Sequence, residues 1–262
     1  MPQQRSVGGP AGPLDVHLSG DGPAVALVAS LGRGADDFAD LGARLAAAGY
    51  RALALEPRGV GASKSPLEGV AMADLADDVA AVIRALADGR ATVAGHAFGN
   101  RVARMVATRH PDLVESVILL ACGGLVPPTT EVTAAMVSVF DASLDPGARR
   151  QAVARAFFAP GNDPSPWDGG WHAETAAAQV RATNGTPVEE WWTAGAADVL
   201  VVQPAEDVVA VPENAMKIVE MLGARASMVT IPDAGHALLP EQPAAVAEEV
   251  PAWLDRRRSP TR

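Results

Sequence analysis

One cysteine, Cys122, occurs among the 262 residues. An internal disulfide is thereby excluded, and a lone thiol suits a reducing compartment, so a cytoplasmic location is expected. Histidines are few and scattered, five in all. None forms the H-x-x-x-H or E-x-x-H pair that holds zinc on one helix face, so no metal site is expected. No apolar run approaches the roughly 18 residues that a membrane span needs. The opening, MPQQRSVGGPAGP, has no apolar segment after Arg5 and reads as a loose tail over residues 1–13, not as a signal peptide. Positive charge is short too: the net charge is −10. Nucleic acid is disfavoured, because binding it needs clustered Lys and Arg to displace counterions, and so is an anionic membrane surface. The negative excess reads as solubility. The glycine-rich stretch EPRGVGAS lacks the G-x-G-x-x-G spacing that opens into a helix, so no dinucleotide and no other cofactor is expected.

What the chain has is a large apolar share, 48% hydrophobic residues, arranged in strand-sized runs that alternate with helix-length stretches of period 3.6. That alternation is the signature of an α/β fold, a doubly wound and mostly parallel sheet covered on both faces. Strands are expected at Ala24–Ala29, Arg51–Leu55, Ala91–Ala94, Ser116–Ala121, Val199–Gln203 and Met228–Ile231. Helices are expected at Ala35–Ala48, stopped by Gly49, at Ala71–Ala87, after Gly99 as far as His110, from Pro212 and from Glu241. After Leu125 the alternation breaks for about seventy residues into helical segments and turns rich in Pro, Gly and Trp. The reading is one domain, with residues 14–124 and 198–258 as the core and 125–197 as an inserted helical lid.

The segment Val93-Ala94-Gly95-His96-Ala97-Phe98-Gly99 follows a strand and opens a helix. Glycines at both ends let strand and helix approach around a strained turn, which pushes the central side chain out above the sheet. GHAFGN resembles the G-x-S-x-G nucleophile elbow of the α/β-hydrolase superfamily, in its serine branch, with alanine in place of serine. The resemblance runs from Ala24 to Leu254, with its motifs in the family order. It implies an acid at the strand end in QPAEDVVAVP, where Asp207 matches best and Glu206 competes, and a late histidine, His236, in IPDAGHALLP. The implied catalytic set is Ala97, Asp207 and His236. In such a set the histidine takes the nucleophile's proton and the carboxylate holds its tautomer. The oxyanion donors implied by the resemblance are the N–H groups of Leu31 and Phe98. The family usually has His-Gly at the first of these turns; Ala29 and Ser30 stand there in this chain.

The resemblance implies a hydrolase for an ester, lactone or related carbonyl compound. Tryptophans and phenylalanines concentrate in the lid, so a small substrate with an apolar or aromatic body is expected. Candidate contacts are Ser30, Trp167, Trp171, His172 and Trp191. Arg33, just after the oxyanion turn, is expected to stay solvated. His96 reads as structural or as pocket wall, and Cys122 as inert. Two readings of the alanine stay open. In one it replaces the serine of a working hydrolase. In the other it is native, and His236 serves as a base for a serine-independent lyase or hydrolase reaction, or the protein binds a ligand without turnover as a pseudoenzyme. Oligomeric state is not legible.

Overall fold

The computed structural model describes residues 2–258 and begins with a hairpin. Strand β1 (Gln3–Gly9) lies antiparallel to β2 (Gly12–Ser19), with Gln3 opposite Leu18 and Gly9 opposite Gly12. The loose tail expected for residues 1–13 is therefore wrong: most of it is an edge strand. Its composition hid it, because β1 is exposed apart from Val7 and is held by ladder hydrogen bonds more than by burial.

Six further strands follow: β3 (Ala24–Val28), β4 (Arg51–Leu55), β5 (Ala91–His96), β6 (Val114–Leu120), β7 (Asp198–Pro204) and β8 (Ala226–Ile231). They pair in parallel, and among the described residues the eight strands form one sheet in the order β1-β2-β4-β3-β5-β6-β7-β8. The inner parallel strands β3, β5 and β7 are buried on both faces, which is why they read as continuous apolar runs and not as alternation, whereas the edge strand β8 is largely exposed.

A 3₁₀ turn at Ala35–Phe38 leads into helix α1 (Ala39–Ala47), so the helix expected from Ala35 starts as a tighter turn. Helices α2 (Met72–Leu86) and α3 (Phe98–Arg109) follow. Between β6 and β7 the chain forms α4 (Thr130–Ser138), α5 (Pro146–Phe157) and α6 (Ala173–Asn184), with 3₁₀ turns at Ser165–Trp167 and Val188–Glu190. Helices α7 (Pro212–Leu222), α8 (Leu238–Glu241) and α9 (Pro243–Arg258) complete it. No helix of the described residues is long and apolar enough to cross a membrane.

The period of two in the strands sorts side chains into two cores. Ala24 and Ala26 pack with Val79 and Ile83 of α2 and Val102 and Val106 of α3. Val25 and Leu27 pack on the other face with Phe38, Leu41, Leu45 and the Trp253 of α9. Each fully buried Val, Leu, Ile or Phe among them contributes about 1.5–3 kcal/mol by leaving water. The sheet order places β3 beside β5, although the chain runs from β3 to β4 first. Connections from these two strands leave in opposite directions, and such a reversal opens a crevice beyond their carboxyl ends.

Candidate active site

Strand β5 ends at His96 and α3 starts at Phe98, so Ala97 alone makes the turn, at φ 51° and ψ −108°. A positive φ on a residue with a side chain costs about 1–3 kcal/mol and persists only where the surroundings impose it. Here they do. The Ala97 N–H donates to the Leu120 carbonyl (2.9 Å), the Ala97 carbonyl accepts from the Asn100 N–H (3.1 Å), and the Asn100 side-chain amide donates to the Ala121 carbonyl (2.8 Å). A methyl on Gly95 would overlap the backbone of Gly99 and Asn100, and one on Gly99 would overlap the Val28 and Ala29 carbonyls. Both glycines of the motif are thus required by close backbone approach.

Leu31 enters the crevice from the turn after β3. That turn is closed by the Arg33 N–H donating to the Ser30 carbonyl (3.1 Å). It is braced by α6: Gln179 Oε1 accepts from the Gly32 N–H (2.8 Å), and the His172 N–H donates to the Gly32 carbonyl (2.9 Å). Among the described residues, neither the Leu31 nor the Phe98 N–H has an acceptor. The Phe98 amide also sits at the N-terminus of α3, where the helix dipole favours negative charge.

His236 and Asp207 are both buried, and Nδ1 of the ring lies 3.1 and 3.0 Å from the two carboxylate oxygens. The N–H groups of Val209 and Ala210 donate to the same carboxylate at 2.8 Å each. Burial alone would raise the Asp207 carboxyl, but His236 and these two amides outweigh it and hold the pKa below the usual range. Of the two carboxylates the sequence left open, Asp207 is the one against His236, and Glu206 is exposed. With Nδ1 committed to Asp207, Nε2 is the nitrogen left for a substrate or water. Glu241 secures the loop: it accepts from the Gly235 N–H (2.9 Å), the Ala159 N–H (2.7 Å) and the Asn162 side chain (2.8 Å).

Ala97, Leu31, Phe98, Ser30 and His236 line one cavity of about 510 Å³, within the range of small-molecule sites. The segment between β6 and β7 supplies much of its wall, including Phe140, Phe157, Trp167 and Trp171. Phe157 packs on Trp167 and Trp171 at 5.4 and 5.5 Å between ring centres, and on the His236 ring at 5.8 Å. These contacts set one side of the imidazole against the aromatic wall.

Three sequence expectations fail here. His172 does not line the cavity; it meets the Ser30–Arg33 turn through its backbone, and burial and then Arg33 lower its pKa. Trp191 does not line it either. It lies behind Gly124, where a Cβ would meet its ring at 2.9 Å, and under the Arg104 guanidinium at 4.6 Å. Arg33 is not solvated. It is buried, pairs in a fork with Asp37 (2.9 and 2.6 Å), donates to the Gly169 carbonyl (2.7 Å) and stacks on Trp167 and Trp171 at 4.5 and 4.6 Å. Cys122 is fully buried, and burial pushes its thiol pKa up. Sequence reasoning missed Glu241 and Arg101. Arg101 carried a usable signal, since four residues after the elbow centre is the same face of α3.

Residues 18–249 match a family described as "Alpha/beta hydrolase family". The 2-(acetamidomethylene)succinate hydrolase of Mesorhizobium japonicum is 36% identical over 107 residues, which cover 41% of this chain and 38% of that relative. The match thus spans well under two thirds of the relative's length. The crystal structure of E-2-(acetamidomethylene)succinate hydrolase superposes with a TM-score of 0.79 at 22% identity, covering 97% of this chain and all (100%) of that one. A thermophilic esterase from Thermogutta terrifontis superposes with a TM-score of 0.81 at 21% identity, over 98% and 100% of the two chains. At these identities the two superpositions speak to fold alone. With an elbow at the end of β5, two cores on one mostly parallel sheet and a match over most of its length, this chain belongs to the alpha/beta hydrolase family.

Proposed function

We propose that the cavity binds a small ester, lactone or related carbonyl compound with an apolar or aromatic body, and that the inserted segment acts as its lid. Asp207 orients His236, His236 is the base, and the N–H groups of Leu31 and Phe98 receive the developing oxyanion. The observation that carries this reading is the buried His236–Asp207 pair on the cavity that also holds Ala97. Alanine leaves the pair no side-chain hydroxyl to deprotonate. In the chain as it stands, His236 activates water, and hydrolysis proceeds slowly without an acyl-enzyme. Removing the nucleophile of such a set costs about six orders of magnitude, while oxyanion donors and binding alone retain roughly 10³–10⁴ over water.

The test compares aryl-ester and lactone hydrolysis by this chain, by Ala97→Ser and by Ala97→Ser with His236→Ala. The expected result is slow turnover by the first, a gain of about 10³-fold or more with serine, and loss with the histidine change. A serine variant no faster than its parent would refute the triad geometry.

A further inference from the structure

Arg101 stands one helical turn after Ala97 on α3 and lines the same cavity. Side chains at i and i+4 share a helix face, and long ones lean back over the preceding turn, here the turn that carries the elbow. Other buried or half-buried arginines have protein partners: Arg33 pairs with Asp37, Arg58 with Asp78, and Arg104 donates to the Asn100 side chain (2.7 Å) and the Gly123 carbonyl (2.8 Å). Arg101 has none. Among the described residues it makes no ion pair and no hydrogen bond, and its one ring contact is with Trp191 at 5.8 Å.

The surroundings supply no counter-charge. Among the described residues, none lining the cavity is acidic. Arg104, fully buried one turn further along, adds a second cation, held at a pKa of about 10 by burial and so still charged at neutral pH. Cys122, the thiol beside them, has its pKa pushed up by burial and stays neutral, so it supplies no counter-charge. A guanidinium half-withdrawn from water beside an apolar cavity and a second cation is costly unless an anion joins it. Its planar fork of donors matches the two oxygens of a carboxylate, and Arg104, tied to the Asn100 side chain and the Gly123 carbonyl, offers no second fork to a phosphate dianion.

We propose that Arg101 binds a carboxylate of the substrate. The substrate class is then an acid with an apolar body, whose scissile carbonyl lies a few bonds from the carboxylate, the four residues from Ala97 to Arg101 rising about 6 Å along the helix. The inference rests on this cavity being the substrate site, and not on the reaction performed there.

Calorimetric titration of the chain as it stands, with Ala97, tests it without turnover. The probes are monobenzyl succinate, which carries a free carboxylate, and benzyl methyl succinate, its neutral counterpart. The acid is expected to bind at least tenfold tighter. Arg101→Gln should bring the two within about twofold by weakening the acid alone, and Arg101→Lys should keep part of the preference. An unchanged affinity of Arg101→Gln for the neutral diester establishes that the variant's cavity is intact. Equal binding of both probes by the parent, or a preference that survives Arg101→Gln, would overturn the assignment while leaving the hydrolase reading standing. Binding of neither probe would overturn both.

Discussion

Nε2 of His96 lies 2.7 Å from the backbone carbonyl of His236. A carbonyl only accepts, so His96 carries its proton on Nε2 and donates it, and its buried Nδ1 has no partner among the described residues. The ring is fully buried, 5.9 Å from Trp167 and 5.3 Å from the His236 ring between centres. Burial first, and then the neighbouring His236, push its pKa down to about 3. The residue before the elbow centre is thus a neutral strut that sets the height of the His236 backbone.

Acid stability follows from that strut. In the unfolded chain His96 takes up a proton near pH 6.5; in the folded chain it does so only near pH 3. Between these values the unfolded state binds one more proton. The contribution is complete above about pH 6.5 and is lost as pH falls toward 3, at about 1.4 kcal/mol per pH unit. Urea unfolding at pH 7, 5.5 and 4.5 should show a steeper acid loss for the parent than for His96→Gln. Parallel losses in the two proteins would refute the account.

Asp207 is expected to matter to rate more than to binding. In the Ala97→Ser background, Asp207→Asn should lower kcat by about three to four orders of magnitude, because an amide selects the wrong imidazole tautomer. Exposed Glu206→Gln should leave kcat within about twofold. A loss below tenfold for Asp207→Asn, measured with the same ester, would remove Asp207 from the orienting role.

The Arg33 clamp joins the oxyanion turn to the inserted segment. Replacing one partner leaves the other charge buried, so Arg33→Met should destabilise by about 3–5 kcal/mol. Arg33→Met with Asp37→Leu should recover a large part of that loss, since a buried ion pair exchanged for apolar groups is often near neutral. The double variant should still raise KM, because Trp167 and Trp171 lose the guanidinium stacked on them. Denaturant midpoints and ester kinetics on the four proteins of the cycle decide it; additive losses would show that the pair is not coupled.

Much of this site was legible because its parts are local. Gly95 and Gly99 flank Ala97 within five residues, and the steric demand that requires them acts over that same span. Asp207, with Glu206 as competitor, and His236 were implied by the resemblance to the family's motif order. The failures share a different cause. Trp191 and Trp171 are both aromatic and both in the inserted segment, yet one faces the cavity and the other lies behind Gly124 under Arg104. Residue type reports that a ring will be covered, not which neighbour covers it. The solvated reading of Arg33 failed likewise, because its carbonyl partner Gly169 is 136 residues away in sequence.

The sequence by itself determined the layered α/β architecture and the glycine-flanked turn at Ala97, since periodicity and glycine spacing are properties of consecutive residues; the acid and base candidates came from the family resemblance. The tertiary structure alone decided that residues 3–9 form an edge strand, that Asp207 and not Glu206 meets His236, and that Arg101 faces the cavity with no ion-pair or hydrogen-bond partner among the described residues. Each of these depends on what the chain brings alongside from far away. Hydrogen bonding, charge pairing and exclusion of water act through space, and no local pattern encodes the distance.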